Sequence, residues 1–234
     1  MEVMEAVMEE LKARSVYLCE TYAPYYVCSF MTHAFNQMNQ RREIYWDSKR
    51  VPNMRLHILF VAPAGFMKSF YMGTMGGERF SIFRNCGTPI GFEQSMTEAA
   101  FVGTIRDIDG VGHPTLGAAA DYKDGMLLID EFSALTNAMK VQYNSQMDAQ
   151  LLAALDHGHV VKRLGSGRIE YTTSLTLWAG VQPAKYDLSS GLGRRMCFLL
   201  LLPTKLDNVA LMRTMHKTRN IRPDVKEMDH LWGL

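Results

Sequence analysis

The chain predicts an α/β protein, a parallel sheet covered on both faces by helices. Three observations carry that expectation. Short apolar runs alternate with stretches of helical pattern. The first sheet-forming run, "LHILFVA" (56–62), leads into a turn that ends in Lys68-Ser69. A later run, "GMLLID" (125–130), ends on the acid pair Asp130-Glu131. Runs that are apolar throughout suit strands buried on both faces, as parallel sheets require. Ligands of such sheets sit beyond the carboxyl ends of the strands, and both polar endings lie there.

Taken in order, residues 2–14 read as a two-faced helix, and 16–41 as apolar and aromatic helical material broken at Pro24. "QRREIYWDSKRVPNMR" (40–55) reads as a charged, solvated loop. After the strand at 56–62, a helix is expected from Lys68 to Gly76-Gly77. A strand is expected at 79–85 ("RFSIFRN"), a helix at 92–105, and a strand at 125–130. A helix at 143–158 stops at a glycine. Strands at 174–181 ("SLTLWAGV") and 197–202 ("CFLLLL") complete the sheet. Between these last elements, "VVKRLGSGRIEY" (160–171) has the look of a β-hairpin with glycines at its tip.

Composition narrows the function classes. Over 234 residues, 47% are apolar and 21% charged, enough for a sizeable core and unlike a disordered chain. The formal net charge of +1 provides no global field for nucleic acid, so any such contact must be local. The four cysteines form no C-x-x-C pair and read as buried free thiols. The longest apolar run is far shorter than a membrane span. A soluble protein of a reducing compartment is expected, cytoplasmic or, in a eukaryote, nuclear.

The turn after the first strand nearly matches the phosphate-cradling pattern G-x-x-x-x-G-K-[ST]. Ala62 and Met67 stand at the two glycine positions, while Gly65, Lys68 and Ser69 are in place. In this reading Ala62, Pro63, Ala64, Gly65, Phe66, Met67, Lys68, Ser69 and Phe70 bind ATP, with Lys68 reaching the outer phosphates. The Ser69 hydroxyl and Asp130 hold Mg²⁺, and Glu131 polarises the attacking water. The acid pair follows Lys68 by about 60 residues, with a strand and a helix between.

With these motifs on the page, the chain resembles the minichromosome maintenance (MCM) helicases, a family of AAA+ ATPases. Ala62-Pro63-Ala64-Gly65-Phe66-Met67-Lys68-Ser69 is similar to the family's G-D-P-G-T-A-K-S, which also lacks the glycine before lysine. "SMTEAAFVGTIRDIDGVGHPTLGAAADYKDGMLLIDEFSAL" (95–135) resembles the family's segment ending in C-I-D-E-F-D-K-M. "LLAALDHGHVVKRLGSGRIEYTTSLTLWAGVQP" (151–183) looks like its helix, hairpin and strand ending in Asn-Pro, with Gln182 at the sensor asparagine. "GLGRRMCFLLL" (191–201) sits where the family has Ser-Arg-Phe. The resemblance covers roughly 50–203.

The resemblance implies a P-loop NTPase of the AAA+ class, with a helix-2 insertion near 106–115 and a pre-sensor-1 β-hairpin. It implies an amino-terminal helical segment (1–45), an ATPase core (46–205) and the start of a lid or helical tail (206–234). Gln182 is then the sensor, and Arg194 or Arg195 the arginine finger that reaches a neighbour's nucleotide. A finger in trans implies a ring or a filament, with a hexameric ring as the family precedent. Lys162, Arg163 and Arg168 are then DNA-binding residues that grip a single strand in the ring channel. The expected function is an ATP-driven DNA helicase or translocase acting in replication. The alternative is a remodelling or regulatory AAA+ ATPase of MoxR or chelatase type that acts on protein.

Overall fold

The computed structural model describes residues 2–14, 19–38, 45–46, 49–50, 55–77, 81–109, 111–135, 145–156, 158–165, 167–185, 192–201, 204, 209–213 and 216. Helices α1 (Glu2–Ala13) and α2 (Cys19–Met38) precede a two-residue ladder, β1 (Tyr45–Trp46) with β2 (Lys49–Arg50). Five strands then form the main sheet: β3 (His57–Val61), β4 (Ile90–Glu93), β7 (Met126–Ile129), β10 (Thr176–Val181) and β11 (Met196–Leu200). Their order across the sheet is β11-β3-β10-β7-β4, and every pairing is parallel. Two antiparallel hairpins stand outside it, β5 (Gly103–Ile108) with β6 (Val111–Leu116), and β8 (His159–Leu164) with β9 (Gly167–Thr172). Further helices among the described residues include α3 (Lys68–Met72), α4 (Glu98–Val102), α5 (Ala118–Asp121) and α6 (Ser145–Asp156). The arrangement is compatible with a Rossmann-like α/β fold.

Alternation along the strands divides the core in two. Ile58, Phe60, Met126, Leu128 and Trp178 point to one face, where α1, α2 and α3 cover them. Leu59, Val61, Leu127, Ile129, Leu177 and Ala179 point to the other, under α4 and α6. The strands expected at 56–62, 125–130, 174–181 and 197–202 are present; the first three are buried on both faces, and β11 is an edge strand with Leu200 exposed. Trp178 is fully buried at the centre of the first face. Its ring meets Tyr26 edge-on at 4.8 Å, and its indole N–H donates to Ser29 Oγ at 2.7 Å. No described helix is long and apolar enough to cross a membrane.

Four expectations are corrected. Helix α2 runs unbroken through Pro24. Proline removes one hydrogen bond and crowds the preceding turn, but burial of Tyr22, Tyr26, Val27 and Phe30 on the sheet outweighs that loss. Residues 81–85 form turns, not a strand. Ile82 and Phe83 donate their N–H groups to Thr74 and Met75 in the π-helical turn Gly73–Gly77, at 2.9 and 3.0 Å. Phe83 stacks on Phe30, so the apolar alternation there fills a buried turn. The missing sheet strand is β4 (Ile90–Glu93), which overlaps the start of the stretch expected to be helical (92–105); helix occupies only Glu98–Val102 of that stretch, and β5 begins at Gly103. Gly91 lets the Tyr122 ring lie against it, since a Cβ there would sit 2.3 Å from that ring.

The fourth correction concerns the charged segment before β3. Arg55 is not solvated. Its guanidinium donates to the carbonyls of Ala154, Leu155, Asp156 and Leu175 at 2.8–3.2 Å, closing the carboxyl end of α6. Burial lowers its pKa to about 10, so it remains a cation at neutral pH. Beside it His57 donates from Nε2 to Leu155 O and accepts the Leu177 N–H at Nδ1. Burial, with the Arg55 charge beside it, depresses its pKa to about 3, which keeps the ring neutral.

The Trp178 contacts generate a stability prediction. Trp178→Ala is expected to cost about 3–5 kcal/mol. Trp178→Phe, which removes the donor to Ser29 Oγ but leaves that hydroxyl its bond to Leu56 O and keeps most of the volume, is expected to cost about 1–3 kcal/mol. Urea unfolding followed by circular dichroism measures both, and the reverse ranking would refute this account of the core.

Candidate active site

Strand β10 lies between β3 and β7, so three carboxyl ends emerge side by side. Val181 is level with Val61, and Ala179 with Ile129. Beyond the ladders the pairing continues. Ala62 N–H donates to Val181 O at 3.1 Å and Phe132 N–H to Gly180 O at 2.8 Å, while Asp130 and Glu131 donate to Glu93 O and Gln94 O. The backbone on both sides of the acid pair is thus pinned.

The loop 62–67 then turns back into α3. Ala62 is fully buried. Gly65 (φ 79°) and Met67 (φ 56°) take the left-handed conformation. The two substituted glycine positions therefore differ. Ala62 needs no glycine, whereas Met67 holds a conformation that costs a residue with a Cβ about 1–2 kcal/mol. Its side chain packs at the edge of the first core.

Lys68 is buried, and its ammonium lies back across the loop, donating to Ala62 O at 2.9 Å and Pro63 O at 3.1 Å. Burial lowers its pKa, opposed by Glu131 and Asp130. Ser69 Oγ lies 2.7 Å from both Asp130 carboxylate oxygens. Glu131 accepts from Ser133 Oγ, has Gln182 Nε2 at 3.5 Å from Oε2, and has Lys185 Nζ at 3.8 Å from Oε1. Lys68, Ser69, Asp130, Glu131 and Gln182 are thus brought together, as the sequence predicts. Phe70 is half-buried against the first core. Ser69 and Asp130 present the hard oxygen donors that a magnesium ion takes, and this pair fits one. No cluster of three or more His, Cys, Asp or Glu side chains suited to a metal occurs among the described residues.

Two participants escaped the sequence reading, Ser133 and Lys185. The 3-10 turn Pro183–Lys185 folds Lys185 back, its N–H donating to Gln182 O at 2.9 Å. The signal was a lysine three residues past a strand-end glutamine.

The remaining basic residues lie elsewhere. Arg194 and Arg195 precede β11, whose first residue is level with His57 at the start of β3. They sit at the opposite end of the sheet, about 16 Å of strand away from the loop. Arg195 is ion-paired with Asp156 at the end of α6, whereas Arg194 is exposed. In the β8–β9 hairpin, period-two alternation points Val160 and Lys162 inward. Lys162 is buried and pairs with Glu98 at 3.0 Å and Gly103 O at 3.2 Å. This corrects the surface position expected for Lys162. Arg163 and Arg168 face each other across the ladder and are exposed, with Arg168 paired to Glu170 at 2.7 Å.

Compared with protein-family models and with curated proteins, the chain matches none.

The loop geometry makes opposite predictions at its two substituted positions. Met67→Gly should be about 1 kcal/mol more stable than Met67→Ala, since both lose the same packing and only alanine keeps the strain. Ala62→Gly should be about 0.5–1 kcal/mol less stable than the natural chain. Thermal or urea unfolding of the three variants decides it, and equal stability of the two position-67 variants would refute the strain.

Proposed function

We propose that the chain is an ATP-hydrolysing AAA+ motor resembling the MCM helicases. One observation carries this reading: Lys68, Ser69, Asp130, Glu131 and Gln182 converge at three adjacent strand ends, with Ser69 bonded to Asp130, Gln182 beside Glu131 and Lys68 within electrostatic reach of both acids. Numbered in chain order, the sheet strands run 5-1-4-3-2, which supports the AAA+ assignment. So do the hairpin between α4 and α5 and the hairpin that precedes β10.

In this reading Lys68 swings from two backbone carbonyls onto the outer phosphates, which offer a stronger, charge-assisted acceptor. Ser69 and Asp130 would hold a magnesium ion, which would supply charge neutralisation to the phosphates. Glu131 orients the attacking water, with Gln182 beside it. Arg194, exposed and remote from its own loop, is the arginine finger delivered to a neighbouring copy, which makes the assembly a ring.

The test compares two variants. Lys68→Ala is expected to weaken ATP binding at least tenfold, because it deletes the phosphate cation. Glu131→Gln is expected to bind ATP at least as well as the natural chain but to lose about 10²-fold or more of its turnover. Wild-type turnover in Glu131→Gln would sink the assignment.

The substrate is proposed to be single-stranded DNA, contacted by Arg163 and Arg168. A specific observation favours the second reading, protein remodelling: burial of Lys162 removes one of the three expected basic contacts, and Arg168 is shared with Glu170. Arg163→Ala/Arg168→Ala should lower affinity for a single-stranded oligonucleotide equally across sequences and flatten the slope of log K against log[salt] by about 1–1.5 units. An unchanged slope and affinity would decide for the protein substrate.

A further inference from the structure

Lys185 stands beside the proposed site with no role in the reading above. Its position is set by structure on both sides. The backbone N–H is tied to Gln182 O, and the ammonium faces Glu131 Oε1 at 3.8 Å while the side chain stays 44% exposed. That distance is longer than a charge-assisted hydrogen bond, about 2.7–2.9 Å, and a solvated pair of this kind contributes at most about 1 kcal/mol. The ammonium is therefore held near the carboxylate loosely and can be exchanged.

The surroundings favour an exchange partner that is an anion. Lys68 and Lys185 are close enough for each charge to act on the other, and Asp130 and Glu131 oppose them. Two ammonium groups and two carboxylates roughly cancel. Lys68 already has two carbonyl acceptors, and Glu131 already has Ser133 and Gln182. Lys185 is the cation with the least invested in its present contact. A polyphosphate entering over the loop tips the charge balance strongly negative, and Lys185 sits on the Gln182 side, where the chain of phosphates would end.

We infer that Lys185 is a terminal-phosphate contact that alternates between Glu131 and the third phosphate of a nucleoside triphosphate. This rests on the nucleotide-site reading of the loop at Lys68. With diphosphate bound, or with no nucleotide, Lys185 stays with Glu131. With triphosphate bound it leaves, and Glu131 keeps only its two neutral partners and turns to water. The site thereby distinguishes triphosphate from diphosphate through one exposed lysine.

The experiment measures ATP and ADP affinity for the natural chain, Lys185→Met and Lys185→Arg, each with magnesium. Lys185→Met is expected to lose about tenfold in ATP affinity with ADP affinity held within about twofold, and Lys185→Arg to recover most of the loss. The natural chain should also gain ATP affinity on Glu131→Gln, since Lys185 is released. That gain should disappear when Lys185→Met is added, the signature of coupled residues in a double-mutant cycle. An unchanged ATP-to-ADP ratio in Lys185→Met, or a Glu131→Gln gain that survives it, overturns the role of Lys185 while leaving the nucleotide site standing. A natural chain that binds neither nucleotide overturns both.

Discussion

The two ladders of β10 are the constraint on which the molecule depends. This strand pairs with β3 on one side and β7 on the other, fully buried along its length. No loop contact could hold Ala62, Asp130 and Gln182 in register as closely as two rows of backbone hydrogen bonds do. Gly180 shows how tight the fit is, since a Cβ there would stand 2.5 Å from Asp130 O. The turn after β7 closes on that glycine, so the acid pair is seated by backbone before any side-chain chemistry begins.

The side chains around that seat are mutually satisfied. Each candidate group has a protein partner: Lys68 on carbonyls, Ser69 on Asp130, and Glu131 on a hydroxyl, with an amide and an ammonium nearby. Buried polar groups are costly when left unmade, and these contacts avoid that cost. The acceptors are neutral carbonyls and half-buried carboxylates, and a multiply charged anion is a stronger acceptor for an ammonium than a neutral carbonyl.

Much of this was legible in the sequence, and the failures have physical causes. Four of the five sheet strands announce themselves as continuous apolar runs, which burial on both faces demands of β3, β7 and β10 and which β11 shares although it lies at the edge. The fifth, β4, is an edge strand of four mixed residues, Ile-Gly-Phe-Glu, and only one of them is fully buried. Its competitor at 79–85 has better alternation, but in the part described, 81–85, Phe83 spends its ring under α2. The motif residues at Lys68, Ser69, Asp130, Glu131 and Gln182 stand together because each follows a strand that was readable. Lys185 was not, since its place depends on a 3-10 turn rather than a strand. Lys162 could have been placed inward from its two-residue spacing to Val160.

Arg55 illustrates a different kind of constraint. Its planar fork of donors reads four carbonyls from two elements at once, which a lysine's compact ammonium cannot match. In terms of sequence tolerance, position 55 behaves like the interior of the protein although it carries a permanent charge. Any catalogue of acceptable residues there reduces to one, for reasons of shape and not of charge alone.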